Sequence, residues 1–335
     1  EGEIRISPKS NEATVIRACA FKTGFPRSNI VTNSYFVEKG ISTKYDIPVI
    51  SIVTDPANLF DYERGIYVEG KIRDDWIKAN PTEIVGPNAP ANYTQEGKKW
   101  ERQAHLEIFK PDGRADLRQG IGIRTHGGYS LSHENKTLKF LARDDYDDNA
   151  SFNYDFFPND RENDLPVTGV IMRNSATDAR SSFFRDAFIQ SLADPSLLDL
   201  QKSQPCIAFI NGSYYGIYNI RTLYNEQYLA NKYGIAAEDA VIIKNPSGGI
   251  GDEIQAGFQG DEIPYCQLHQ FIEKNDMRIE ENYEFVQKQI DIDNYIEYNI
   301  LQIYCGNEDW PANNVRIWRK RTAGFEPRAR YGNDG

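Results

Sequence analysis

Asp309 and Asn314 stand five residues apart in Ile300-Leu-Gln-Ile-Tyr-Cys-Gly-Asn-Glu-Asp-Trp-Pro-Ala-Asn-Asn-Val-Arg-Ile-Trp-Arg319. Here an apolar helical run gives way to a polar loop, and the loop to a strand starting at Val315. Asp-x-x-x-x-Asn is the spacing of a kinase catalytic loop, in which the Asp takes the proton of an attacking hydroxyl and the Asn ligates Mg²⁺. The base must face the acceptor hydroxyl while the amide oxygen reaches back to the metal on the phosphates. The same residues also fit a helix-ending turn, since Pro311 pre-sets a turn and Asn313-Asn314 tolerate unusual backbone angles. Lys136, in Asn-Lys-Thr-Leu-Lys-Phe, is a second candidate, because an ammonium sets a point charge against phosphates without a GxxxxGK loop. Its alternative is a solvent-facing strand lysine. Lys139, three positions on, is expected on the opposite side of that strand. Arg124 and the turn Gly127-Gly128 precede it, where backbone N–H groups can approach a phosphate or simply make a β-turn.

Other chemistries have weaker footing. Cys19, Cys206, Cys266 and Cys305 are far apart, with neither zinc spacing nor the pattern of a disulfide framework, and read as small buried apolar residues. His105, His126, His133 and His269 form no cluster in sequence, and no G-x-S-x-G elbow occurs. Asp144, Asp145, Asp147 and Asp148 resemble a calcium cluster but lack the Gly and closing Glu of an EF-hand loop, so a solvated acidic loop is expected. Paired glycosidase carboxylates stay open, because any two of the 49 Asp and Glu residues could converge in space.

The elements that must position these residues follow from patterning. The 335-residue chain carries 38 Lys and Arg against 49 Asp and Glu, a formal charge of −11. That balance argues against a nucleic-acid partner, whose phosphates need a basic face. With 20 Tyr, 17 Phe and 4 Trp the chain has the apolar area for a substantial core, and no apolar run approaches the roughly 20 residues of a membrane span. Alternation predicts strands over 3–6, 13–21, 30–36, 47–53, 65–68, 104–109, 120–125, 137–142, 169–173, 206–211 and 215–220. A polar insertion is expected over 78–97. Helical periodicity covers 182–192, with Phe183, Phe184, Ala187 and Phe188 on one apolar stripe. It returns over 225–233, 264–275, 281–289 and, after an Asp291 cap, 294–304. Strands first and helices later predict an α+β fold with two lobes.

Two resemblances extend this reading. Thr14-Val-Ile-Arg-Ala-Cys-Ala-Phe-Lys-Thr-Gly-Phe-Pro-Arg-Ser-Asn-Ile-Val-Thr-Asn-Ser-Tyr-Phe36 is similar to the last strands of the chitobiase C-terminal-like β-sandwich modules of secreted bacterial carbohydrate-active proteins. From Ile47 on, the stretches IPVISIVTDPANLFDYERGIYVEG, AHLEIFKPDG, GIGIRTHGGYSLSHENKTLKF, VIMRNSATDARSSFFRDAFIQSL, INGSYYGIYNIR and NEDWPANNVRIWRKR resemble the spore coat protein H (CotH) family of atypical secreted kinases. The domains implied are a partial sandwich module over 1–38, a linker over 39–46 and a kinase-like domain over 47–335.

The second resemblance implies a divergent two-lobed protein-kinase-like fold using ATP and Mg²⁺ or Mn²⁺ to phosphorylate Ser or Thr of a secreted, surface or coat protein. Asp309 takes the place of the catalytic Asp, Asn314 that of the metal-binding Asn, and Lys136 that of the phosphate-binding Lys, with Arg124 beside it. Arg185-Asp186 matches a family pair, either orienting nucleotide-site groups or forming a structural ion pair. Thr222 replaces an acidic residue, and His126 and Leu131 stand where Arg is common. The family's second metal-binding Asp has no counterpart before Gly335, Asp334 reading as a hairpin turn, so the C-terminal lobe is expected to be incomplete. The alternative function is a non-catalytic kinase-like cell-surface scaffold for a protein or glycan. Both resemblances imply export, to the periplasm, the cell surface or beyond, on a chain that begins at Glu1 without a leader.

Overall fold

The alternating runs close into a barrel because every second residue in them is apolar and has somewhere to go. The protein is described by a computed structural model over residues 3–8, 10–38, 41, 44–158, 166–193, 198–249, 251–311 and 313–322. The chain divides into one unit of residues 1–186 and 202–223 and another of residues 187–201 and 224–335.

In the first unit, β1 (Thr14–Ala18) pairs antiparallel with β2 (Val31–Tyr35). Then come β3 (Val49–Val53), α1 (Pro56–Phe60), α2 (Gly70–Ala79), β4 (Arg102–Phe109), β5 (Ala115–Thr125), β6 (Leu138–Leu141) and β7 (Gly169–Arg173). Helix α3 (Arg185–Ser191), of which residues 187–191 belong to the second unit, precedes β8 (Ser203–Ile210) and β9 (Ser213–Thr222). Seven strands form a closed barrel in the order β3-β4-β5-β6-β7-β9-β8. The closing ladder is parallel, with Val49 opposite Ile207, and the others are antiparallel. Ile50 and Ile52, Ala104, Leu106 and Ile108, Ile121 and Ile123, Leu138 and Phe140, and Val170 and Met172 share one buried cluster. Their period of two fills a small barrel with side chains and pins its register.

The opposite face of β3, β4 and β8 also carries apolar residues: Val49, Phe109, Ile207 and Phe209 pack with Ala13 and Phe36. Phe36 sets its edge against Phe109 at 5.3 Å and Phe209 at 4.9 Å, and the Ser34 and Ser51 hydroxyls meet at 2.7 Å. Ala13, Ser34 and Phe36 therefore cover part of the barrel's outer face.

His105 and Glu107 lie on this outward face of β4. Glu107 is fully buried, with one carboxylate oxygen accepting from Arg118 Nε at 3.1 Å. His105 Nε2 is buried without a hydrogen-bond partner. Burial lowers the His105 pKa, Glu107 and Asp147 oppose the shift, and Arg118 and Arg17 add to it. Since the folded state holds the neutral ring, the unfolded chain takes up its proton first as pH falls below about 6.5. Stability contributed by His105 is thus present above that pH and lost beneath it. Thermal melts from pH 7 to 5 are expected to show a flatter acid slope for His105→Gln than for the wild type. Parallel slopes would remove His105 from the acid response.

In the second unit, α4 (Glu226–Tyr233) precedes β10 (Ala240–Lys244) and β11 (Glu253–Ala256). Helices α5 (Ile263–Lys274), α6 (Glu280–Gln287) and α7 (Ile292–Tyr304) lead to β12 (Arg316–Lys320). The sheet order is β11-β10-β12. Asp199 ties α4 to β12. Its Oδ1 accepts from Tyr228 Oη at 2.8 Å, Lys232 Nζ at 2.9 Å and Tyr233 Oη at 2.8 Å, and its Oδ2 from Trp318 Nε1 at 2.9 Å. No helix among the described residues is long and apolar enough to cross a membrane.

The α+β composition holds, and several local expectations are corrected. Residues 65–68 are a turn, because Ile66 and Tyr67 donate their backbone N–H groups to Asn58 and Leu59 instead of to a strand. Residues 3–6 have no ladder partner among the described residues. Helix α2 occupies 70–79, reaching into the expected insertion, and starts at Gly70 with φ +58, where a Cβ would strike the Asn92 amide and Tyr62 O. Cys19 is exposed, whereas Cys206 and Cys266 are buried. The aromatic stripe over 182–192 is surface, with Phe184 56 % and Phe188 53 % exposed. Of the expected linker, residues 39, 40, 42 and 43 lie outside the described residues, as does Asp334.

Candidate functional site

Helix α7 begins as its sequence predicts, Asp291 accepting from Asn294 N at 3.0 Å. It ends at Gly306, whose φ of +59 is open to glycine at little cost. The loop beyond folds back on itself: Asp309 N donates to Asn307 Oδ1 and Asn313 N to Asp309 O, each at 3.1 Å. Asn314, at φ +60, donates from Nδ2 to Asp309 Oδ2 at 3.1 Å. The carboxylate and the amide are therefore neighbours, and both are exposed. This pair offers a proton acceptor and hard oxygen donors in one place.

Asn245 holds this loop and was not singled out from the sequence. At the end of β10, with φ +44, it donates from N to Val315 O at 2.8 Å and accepts from Val315 N on Oδ1 at 3.1 Å. Its Nδ2 reaches Asn313 Oδ1 at 3.4 Å. Both residues flank Asn314. The one hint in the sequence is an Asn between a buried β run and Pro-Ser-Gly-Gly, a place for a left-handed residue. Asn245→Gly keeps the backbone angle and removes the side chain. It is expected to quicken hydrogen exchange at the Asn314 and Val315 amides about tenfold, with Asn245→Asp restoring most of the slow rate through its retained Oδ1. Equal rates in wild type and Asn245→Gly would show that the side chain positions nothing.

Lys136 lies just before β6, off the strand, and is 5 % exposed. Its Nζ donates to Leu131 O at 2.7 Å and His133 O at 2.8 Å, and sits 4.4 Å from the Tyr93 ring centre. Burial pulls its pKa down to about 8, with Glu69 opposing. Arg124 is on β5, its Nε 3.7 Å from Glu101 Oε2 and without a hydrogen bond. Buried Glu101 also accepts from Arg143 Nε at 2.8 Å. Lys136 and Arg124 belong to the first unit, Asp309 and Asn314 to the second.

Arg185 and Asp186 pair elsewhere: Asp186 accepts from buried Arg221 at 2.7 Å, and Arg185 lies 3.4 Å from Asp178. Asp178 instead builds the entry to α3, accepting from Ser181 Oγ, Ser182 Oγ and Arg185 N. These bonds outweigh burial and hold its pKa well below the usual carboxylate range. Leu131, where the family often has Arg, is buried against Ala91 and Tyr93. In the acidic loop, Asp147 accepts from Gly120 N at 2.9 Å and Asp145 pairs with Lys98.

A seven-strand barrel, and a second unit whose loop brings a carboxylate beside an amide, define a mixed α+β protein. The family model described as CotH kinase protein matches residues 123–327, more than half of the chain, and the chain belongs to that family. Membership implies a kinase-like fold and ATP use, and the matched span holds Arg124, Lys136, Asp309 and Asn314. A comparison with curated proteins gave no match.

Proposed function

We propose that the chain is an atypical protein kinase moving the γ-phosphate of ATP to Ser or Thr hydroxyls of a secreted or cell-surface protein. The observation that carries this reading is the 3.1 Å Asp309–Asn314 contact within the family-matched span. Asp309 takes the acceptor's proton as its oxygen bonds to the γ-phosphorus and the bond to the bridging oxygen breaks, releasing ADP. Among the described residues no three His, Cys, Asp or Glu side chains gather around a metal. The amide oxygen of Asn314 nevertheless suits Mg²⁺ or Mn²⁺, hard cations that take oxygen ligands. Asn314 is the residue assigned to hold that ion, which would draw charge from the phosphates. Arg124, its Nε 3.7 Å from Glu101, stands with Lys136 as a phosphate partner in this reading. Lys136 gives two of its three N–H groups to its own loop, which leaves one for a phosphate.

Residues 1–38 act in this reading as the end of a sandwich module, and residues 47–335 as the kinase-like part. A second reading, a non-catalytic surface scaffold, is favoured by the commitment of Lys136 to its own loop. Incubation with labelled ATP, Mg²⁺ or Mn²⁺ and Ser- or Thr-rich peptides separates the two. Labelled peptide or self-labelled chain supports the kinase. No transfer and no ATP-dependent thermal shift leaves the scaffold.

A further inference from the structure

At one end of the barrel, a cavity of about 500 Å³ opens between the start of β9, the β5–β6 loop and the segments flanking α2. Its aromatic wall is a row: Phe60 and Tyr215 each set an edge-to-face contact with Tyr67, both at 6.2 Å. Phe60 is 51 % exposed and Tyr214, next to Tyr215, 44 %. Ring faces are thus available at the mouth.

The polar groups of the cavity are mostly acceptors. Glu134 is exposed, Glu69 keeps one carboxylate oxygen beyond the one bonded to Arg73, and the Asn135 amide spends its nitrogen on Tyr215 O at 2.9 Å. The cations give most of their donors to the protein. Lys136 gives two N–H groups to carbonyls and lies against Tyr93. Arg73, behind Glu69, donates to Pro90 O, Ala89 O, Tyr93 Oη and Glu69. An anionic ligand would meet two carboxylates and, from Lys136, one N–H not given to a carbonyl. A cationic one would meet the Lys136 ammonium on the ring faces it needs.

We infer that this cavity binds a neutral saccharide. A sugar ring brings hydroxyl donors for the Glu134, Glu69 and Asn135 oxygens, and its C–H face carries the slight positive charge that an aromatic face attracts. The volume lies in the range of small-ligand sites. The site joins four residues outside the family match, Phe60, Tyr67, Glu69 and Tyr93, to others inside it, Glu134, Asn135, Lys136 and Tyr215 among them. It stands whether or not the chain transfers phosphate.

The test uses the whole chain on an array of neutral, anionic and amino glycans, with saturation-transfer NMR on the methyl glycosides of glucose, galactose and N-acetylglucosamine. Neutral glycans are expected to bind, about tenfold more weakly to Tyr215→Ala. Glu134→Gln, an exposed substitution that leaves the fold alone, is expected to weaken them severalfold, and ATP is expected not to compete. Three results would overturn the inference: no neutral glycan bound at about 10 mM, tetramethylammonium bound in preference, or displacement of the sugar by ATP. The last would return the cavity to the nucleotide.

Discussion

Asp309→Asn is expected to lower phosphate transfer about a thousandfold while leaving the melting temperature unchanged. The first half follows from the chemistry: an amide has no basic oxygen to take the hydroxyl proton, and general-base contributions run to about 10²–10⁴-fold. The second half follows from geometry. Asp309 is exposed, the two side chains have one shape, and an Asn there can still accept from Asn314 Nδ2 through its own carbonyl oxygen. Asn314→Ala separates the roles further. It spares the base but removes an oxygen assigned to the metal, so its transfer rate is expected to recover in part as Mn²⁺ or Mg²⁺ is raised, whereas Asp309→Asn does not recover. Radiolabel transfer at graded metal, with circular dichroism on each variant, reads both. An Asp309→Asn chain as fast as the wild type would place the base elsewhere.

The chemistry-bearing loop was legible because its signal is local. Asp309 and Asn314 are five residues apart, and a loop that short can hardly keep them from meeting. The barrel was half legible. The period-two runs at 120–125, 137–142 and 169–173 named its strands, yet nothing in them announces the parallel closure of β3 on β8, a pairing across some 150 residues. Lys136 read equally well as a solvent-facing lysine, and its burial depends on Tyr93, over forty residues upstream and outside any motif. The helix expected over 182–192 forms over Arg185–Ser191, where the periodicity is local to one turn after another. Asp199 and Asn245 act through partners remote in sequence, so no spacing marks them.

Asp199 carries the other large effect. Four side-chain donors from α4 and β12 converge on its carboxylate, and Tyr224 Oη donates to its backbone oxygen at 2.7 Å. Burial, with Asp199 next to it, raises the Tyr228 hydroxyl far above the usual phenol range, so it stays a donor at any working pH. Asp199→Ala strips an acceptor from two tyrosines, a lysine and the Trp318 indole at once. Unmatched buried donors cost about 1–3 kcal/mol each, and neighbouring losses do not add fully, so about 4 kcal/mol is expected. That corresponds to a fall of about 15 °C in the melting of the second unit. Asn is no rescue, because its NH₂ group would face donors. The damage reaches the chemistry: Trp318 is opposite Ile242 in the β10–β12 ladder, and the same ladder ends at Asn245 and Val315, which hold Asn314. Hydrogen exchange in Asp199→Ala should quicken first in β12 and the Asp309 loop, with the barrel amides unchanged. A melting shift under about 2 °C, or exchange spread evenly over both units, would mean that Asp199 does not anchor this strand.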